Sequence, residues 1–289
     1  MRKLTYAILA ISFILFSAFK TNKPAYSLYN EKGKDIKYDK LLKQALEADI
    51  VLFGELHDNA IAHWLQLELT KDLYEVKKEN LILGAEMFES DNQVILDEYL
   101  NGLISQSSFE KEVRLWPNYK TDYKPLVEFA KKNNLIFVAT NIPRRYAALV
   151  NKKGFEGLED LSDNAREFIP PLPIQYDSTL NSYKSMMEMT GMGSHVTPNF
   201  PKAQAVKDAT MAYHIMEYWE NGKSLIHYHG AYHSQDYESI YWYLKQANPE
   251  LKIVTIHTVS QEDISTLEES NTGKADFTIC VDKDMTKTR

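Results

Sequence analysis

Six short apolar runs bounded by turn residues constrain the fold of this chain more than any other feature. Segments with helical periodicity separate most of them, so strand and helix alternate along the sequence. Alternation of this kind is typical of a largely parallel sheet, and nearly continuous apolar strands indicate burial on both faces. The sequence therefore predicts an α/β fold, with a mostly parallel central sheet flanked by helices. The predicted strands are Asp49–Phe53, Leu81–Ala85, Leu135–Thr140, Ser224–His229, Ile253–His257 and Phe277–Val281. The main predicted helices are Asn59–Lys78, Asn92–Asn101, Tyr123–Asn133, Pro143–Asn151 and Ala203–Asn221.

One stretch, at about residues 154–201, interrupts this alternation. It carries five prolines and a segment rich in Met and Tyr, from Tyr176 to His195. We interpret it as a helical insertion, or lid, within a single α/β domain that spans residues 28–289. Residues 20–35, rich in Lys and Asn, are interpreted as an exposed leader into the first helix.

The N-terminus has the pattern of a secretory signal peptide. Basic residues at positions 2 and 3 precede an apolar segment, Leu4–Phe19, and Lys20 follows it. The apolar segment is shorter than the roughly 20 residues of a spanning helix, and Ala25-Tyr26-Ser27 offers a small-x-small cleavage site. We therefore expect residues 1–27 to direct export to the periplasm or cell envelope and to be removed, with an uncleaved N-terminal anchor as the alternative.

The cysteine content and the net charge restrict how the protein could be anchored and which partners it could bind. The only cysteine is Cys280, so an intramolecular disulfide is excluded, and no lipid-attachment cysteine follows the apolar segment. We do not expect a lipoprotein. Removal of residues 1–27 takes away four basic residues and changes the net charge from −7 to −11. Nucleic acid is therefore not expected as a partner, since neutralising phosphates requires clustered basic residues.

Two Gly-x-x-His tetrapeptides each follow a predicted strand. They are Gly54-Glu55-Leu56-His57 and Gly230-Ala231-Tyr232-His233. In an open α/β sheet, ligands bind in the crevice outside the carboxyl ends of the strands. We therefore expect Glu55, His57 and His233 to face one site, although each histidine considered alone could be a helix cap or a core residue.

Polar residues also end the second and third predicted strands. Glu86 follows the second, and Asn141 and Arg144 follow the third, where Arg144 could reach an anionic group. His227, His229 and His233 form an H-x-H-x-x-x-H pattern. That spacing leaves open a site for a divalent metal, with His227 favoured as a core residue.

Taken together, these motifs resemble the ChaN-like haem-binding proteins, within a wider group that includes Tiki/TraB-type proteins and erythromycin esterases. The resemblance covers most of the chain after residue 27 and rests on motifs in a fixed order. These are Gly54–Asn59 with His63, Glu86–Phe88, Trp116-Pro117, Tyr123–Leu126, Asn141–Arg144, Ala209–Ala212 and Gly230–His233. It implies an envelope protein with a role in haem or iron uptake, alongside other envelope haem-uptake components, and a homodimer if haem is held between two subunits.

Haem needs an axial ligand from His, Tyr, Met or Cys and an apolar slot. The candidate ligand-binding residues, besides Asn141 and Arg144, are Tyr176, Tyr183, His195 and His229, with His233 as a further candidate for the axial ligand. The alternative function is a hydrolase, with or without a divalent metal, in which Glu55, His57, Glu86 and His233 would activate water. Of the two functions we favour haem binding, because the family resemblance implies it.

Overall fold

The computed structural model describes residues 23–188 and 197–288. A seven-stranded sheet forms the centre of the molecule, with strand order β1-β7-β6-β2-β5-β3-β4. All neighbouring strands are parallel except β1 and β7, which are antiparallel. The predicted α/β fold with a mostly parallel sheet is confirmed. The strands are β1 Tyr26–Asn30, β2 Ile50–Glu55, β3 Leu81–Glu89, β4 Phe137–Asn141, β5 Ser224–Gly230, β6 Ile253–Gln261 and β7 Phe277–Asp282.

The helices cover both faces of the sheet. Alternate residues of β2 divide between two hydrophobic cores: Val51 and Phe53 pack in one, and Ile50 and Leu52 in the other. The side chains of a strand point to opposite faces, so a strand buried on both sides must be apolar throughout. The helices are α1 Tyr38–Glu47, α2 Ala60–Lys77, α3 Gln93–Leu100, α4 Gln106–Glu112, α5 Lys124–Asn133, α6 Arg144–Lys153, α7 Asp163–Arg166, α8 Asn181–Glu188, α9 Phe200–Tyr218 and α10 Ile240–Ala247.

Strand β1 replaces the exposed leader that the sequence predicted for residues 20–35. It pairs with β7 from Tyr26 to Asn30, and Leu28 and Tyr29 are buried. The leader prediction was wrong over these five residues, because the polar composition around a short edge strand concealed its two core side chains. A chain that began at Leu28 would lack the first two residues of this strand.

The region predicted as a helical insertion contains both irregular chain and helix. A 3₁₀ helix, Phe155–Asp160, and the short helix α7 precede a stretch with prolines at 170, 171 and 173. Proline has no backbone N–H and cannot continue a helix, so the chain stays irregular until α8. Ser185 and Met186 of α8 line a cavity together with residues from the carboxyl ends of the strands. Helix α9 begins at Phe200, three residues before the predicted start.

Candidate functional site

A cavity of about 500 Å³ lies at the carboxyl edge of β2, β3 and β5. The parallel register of these strands places their polar C-terminal residues side by side, with Glu55 opposite Gly230. Four residues predicted from the sequence line this cavity: Glu55, His57, Glu86 and His233. The other lining residues are Leu56, Ser185, Met186, Phe200, Gln204, Lys207, Gly230, Ala231 and Tyr232.

Glu55 and His57 form one half of the polar site. His57 Nδ1 donates a hydrogen bond to Glu55 Oε1 at 2.9 Å. Burial alone would lower the pKa of His57, but this bond and the charges of Glu86 and Glu55 raise it above its ordinary value. Burial would likewise raise the pKa of Glu55, but the bond from His57 and the electrostatic interaction with His63 lower it. Glu55 is therefore a buried carboxylate that orients an imidazole.

A buried network of hydrogen bonds fixes the position of the Glu55 carboxylate. The hydroxyl of Tyr123 donates to Glu55 Oε1 at 2.6 Å, and the side-chain amide of Gln66 donates to Oε2. His63 extends the network, since its Nδ1 lies 3.0 Å from Gln66 Oε1 and its Nε2 lies 3.1 Å from the carbonyl oxygen of His57. Each hydrogen bond that Glu55 accepts favours the ionised form of its carboxylate. The orientation of His57 therefore depends on residues of α2 and of the Tyr119–Tyr123 π-helix.

His233 lies between two carboxylates in the other half of the site. Its Nδ1 donates to Asp208, and its Nε2 lies 3.3 Å from Glu86 Oε1. Burial would lower the pKa of His233, but the charges of Glu86 and Asp208 raise it to about 10. Glu86 also accepts the backbone N–H of Gly230 at 2.7 Å, and its pKa lies well below the usual range because His233 outweighs the effect of burial. His233 is thus a buried cation at neutral pH.

Gly230 lies between the two halves of the polar site and allows them to approach closely. A Cβ at this position would lie 2.8 Å from Cε1 and Nε2 of His57, closer than real Cβ atoms approach, and 3.6 Å from Glu86 Oε2. The absence of a side chain at Gly230 therefore lets the His57 ring lie against the backbone of β5. His57 Nε2 makes no hydrogen bond within the part of the chain that the structure describes, and about a third of the side chain is exposed.

Asn141 and Arg144 line a second cavity beside the first. This cavity, of about 290 Å³, shares Glu86 and Lys207 with the larger one. Asn141 Nδ2 donates to the carbonyl oxygen of Glu86 at 3.0 Å, and its buried Oδ1 accepts no hydrogen bond from the described residues. The site expected at the strand ends is therefore two adjoining cavities that meet at Glu86.

The remaining candidate ligand residues have different surroundings. Tyr183 is fully buried, and its hydroxyl donates to Asp208 at 2.8 Å. His229 is fully buried against Ser234, with 2.8 Å between Nε2 and Oγ, and burial holds its pKa well below the ordinary value. Tyr176 packs on Tyr183 and Phe155 and does not line the cavity. His195 lies outside the described residues.

The cavity has the parts that a haem would need. Within residues 23–188 and 197–288, no group of three or more His, Cys, Asp or Glu side chains is arranged to hold a metal ion, so a bare divalent cation has no such cage there. An apolar wall is present in Leu56, Met186 and Phe200. Tyr232 stands at the rim with 59 % of its surface exposed. A phenol oxygen beside an apolar wall fits a haem group, because Tyr is one of the residues that ligate haem iron.

Sequence reasoning missed Asp208, Gln66 and Tyr232. Asp208 and Gln66 lie inside helices, next to motifs but outside them, and only the fold brings them to the strand ends. Tyr232 lies within the Gly230–His233 motif, but its exposure follows from the 3₁₀ turn Ala231–His233. Tyr232 directly precedes a histidine predicted to face the site, and that position was the one sequence signal for it.

These features define an α/β protein with a buried polar site at the carboxyl edge of its sheet, in which carboxylates are paired with histidines. Residues 41–244, more than half of the chain, match the family described as "Haem-binding uptake, Tiki superfamily, ChaN". The chain belongs to this family, as its motifs predicted.

Known proteins resemble this chain in sequence and in fold. Protein RETICULATA-RELATED 5, chloroplastic, of Arabidopsis thaliana is 25% identical over 202 residues, which cover 64% of this chain and 26% of that protein. The chain thus spans about a quarter of that relative. ChaN of Campylobacter jejuni, described with cofacial haem binding, superposes with a TM-score of 0.65 at 17% identity, covering 88% of this chain and 96% of that one. A mutant erythromycin esterase, EreC, in its open conformation gives 0.52 at 12% identity, with 90% and 98% covered. At these identities the structural likeness concerns the fold.

Among the described residues, no helix is both long and apolar enough to cross a membrane.

Proposed function

We propose that this protein binds haem in the larger cavity, with Tyr232 as the axial ligand of the iron. The observation that carries the proposal is an exposed tyrosine beside an apolar wall. The Tyr232 hydroxyl makes no hydrogen bond with the described residues, and Leu56, Met186 and Phe200 line the same cavity. Tyr183, His229 and His233, by contrast, would each have to give up a buried hydrogen bond to reach a ligand.

Haem would supply an iron centre, and the chain would supply the ligand, the apolar contact and the control of access. Apolar side chains that cover the face of the macrocycle exclude water and hold it by contact. Met186 suits this role because Met adapts to irregular surfaces. His57 and the ion pair of His233 would then border the ligand without having to leave their partners.

A role in haem or iron uptake at the cell envelope follows as part of the same proposal. Two observations support it: the family is described as one of haem-binding uptake, and residues 1–27 have the pattern of a signal peptide. Cofacial binding is the arrangement named for the Campylobacter jejuni protein, and it supports a homodimer here, with a second copy covering the exposed face of the haem. Contacts with other envelope uptake components belong to the same proposal.

Substituting Tyr232 tests the ligand. In Tyr232→Phe the ring remains and the oxygen is lost, so we expect haemin to bind more weakly and the Soret band of the complex to shift. Tyr241→Phe is the matched control, because Tyr241 lies on α10 and outside the cavity. An unchanged spectrum and affinity in Tyr232→Phe would show that another group ligates the iron.

Hydrolysis is a second candidate, favoured by the geometry of His57. The hydrogen bond to Glu55 occupies Nδ1 of His57, and Nε2 lies beside Gly230, which also lines the cavity. A general base that activates water needs a nitrogen that is free in this way. Only neutral imidazole can accept a proton, and the raised pKa of His57 moves that form to higher pH. Activity on an ester or amide should therefore rise with pH beyond the ordinary range of histidine, and Glu55→Gln should remove it. A panel of such substrates with no turnover above that of the Glu55→Gln variant would exclude this candidate.

A further inference from the structure

The smaller cavity is lined by two cationic side chains that have no carboxylate partner among the described residues. Arg144 and Lys207 both line it, and Lys207 also lines the larger cavity. Among the described residues, Arg144 forms a hydrogen bond only through its backbone N–H, to Glu89, and Lys207 Nζ lies 3.5 Å from Gln204 Oε1. Within residues 23–188 and 197–288, neither side chain is in an ion pair.

The acidic residues of the same cavity have cationic partners of their own. Glu89 pairs with Arg114, with 2.8 Å between Oε2 and Nη2. Glu86 pairs with His233 and accepts the backbone N–H of Gly230. Glu86 and Glu89 are therefore each engaged with a cation, whereas Arg144 and Lys207 have no carboxylate partner among the described residues and are the cations that an anionic group in the cavity would meet.

We infer that the smaller cavity binds the two propionate carboxylates of the haem whose ring occupies the larger cavity, an inference that rests on the proposed function. The propionates project from one edge of the macrocycle, so a ring against the apolar wall can direct that edge past Glu86 into the adjoining space. Arg presents paired N–H donors that match a carboxylate, and Lys adds a compact charge. Arg144 and Lys207 would thereby set the orientation of the haem in its plane.

The test compares haemin with its dimethyl ester, in which both carboxylates are neutral. We expect Arg144→Gln and Lys207→Gln each to weaken haemin binding roughly tenfold, which corresponds to about 1.4 kcal/mol, and to leave the affinity for the ester unchanged. Arg145→Gln and Lys202→Gln are matched controls. Arg145 is the next residue and pairs with Asp91, and Lys202 lies one and a half turns before Lys207 on α9 and outside both cavities. Both controls should bind haemin as the unaltered chain does.

The outcomes separate this inference from the proposed function. If the unaltered chain binds haemin and neither Arg144→Gln nor Lys207→Gln weakens binding, the inference is wrong and the proposed function stands. Equal weakening for haemin and for the ester would also overturn it, because the effect would then not depend on carboxylate charge. If the unaltered chain does not bind haemin, both fail. Circular dichroism of each variant establishes that it is folded.

Discussion

Replacing Gly230 with alanine should displace the His57 ring, because the added Cβ has no room beside it. The added Cβ would lie 2.8 Å from two ring atoms, whereas carbon atoms in contact lie about 3.5–4.0 Å apart, so the ring must move by about 1 Å. The backbone at Gly230 has φ −60° and ψ 140°, which alanine adopts without strain, so the clash is the whole perturbation. A shift of this size is incompatible with the 2.9 Å bond between His57 and Glu55.

The magnitude follows from that bond. Overpacking costs about 1–3 kcal/mol and the loss of a hydrogen bond to a charged group about 1.5–3 kcal/mol, so the free energy of unfolding should fall by about 2.5–6 kcal/mol if both apply in full. The pKa of His57 should fall as well, because the bond to Glu55 is the largest effect that raises it. Urea unfolding measures the first quantity, and NMR titration of the histidine ring carbons measures the second.

Gly102→Ala provides the control for stability alone. Gly102 has φ +73° and open space around it, so alanine there strains the backbone by about 1–2 kcal/mol and leaves the site untouched. We expect a lower free energy of unfolding in this control with the pKa of His57 unchanged. A folded Gly230→Ala protein with an unchanged His57 pKa would refute the contact between the ring and β5.

Further predictions concern the ion pairs and the N-terminus. Asp208→Asn leaves His233 with one carboxylate and should lower the free energy of unfolding by about 3–5 kcal/mol; a change below about 1 kcal/mol would contradict the buried pair. His233 is stabilised as a cation, with a pKa of about 10 in the folded state, so its contribution is complete below its ordinary value of 6.5 and is lost as pH rises through 10. Urea midpoints should therefore fall between about pH 6.5 and pH 10, and a flat profile would count against a protonated His233. A chain that begins at Leu28 should melt at a lower temperature than one that begins at Lys23, because it lacks two residues of β1; equal melting would make that edge dispensable. A reporter fused after residues 1–27 should be exported, and cytoplasmic retention would contradict the signal peptide.

The sheet was predictable because its central strands carry their own signal. Apolar runs such as Ile50–Phe53 must be buried on both sides, and turn residues mark where they end. Strand β1 was not predictable in this way. Only Leu28 and Tyr29 of its five residues are buried, and its role as the antiparallel edge depends on β7, some 250 residues later.

The candidate site was predictable in part for the same reason. Glu55, His57, Glu86 and His233 follow strands, so the topology alone brings them to one edge. Asp208 could not be found, because it lies in the middle of α9 and reaches the site only through the packing of that helix on the sheet. The division into two cavities was equally inaccessible, since it depends on the side chains around Glu86 rather than on the positions of strand ends.

The most direct test of haem binding is an optical titration with haemin of residues 23–289 without any substitution. Increments of haemin should produce a Soret band that differs from that of free haemin and saturates at a fixed ratio of haemin to protein. Tyr232→Phe should alter both the band and the affinity. Spectra that equal the sum of free haemin and protein at every ratio would contradict haem binding by this cavity and leave hydrolysis as the leading candidate.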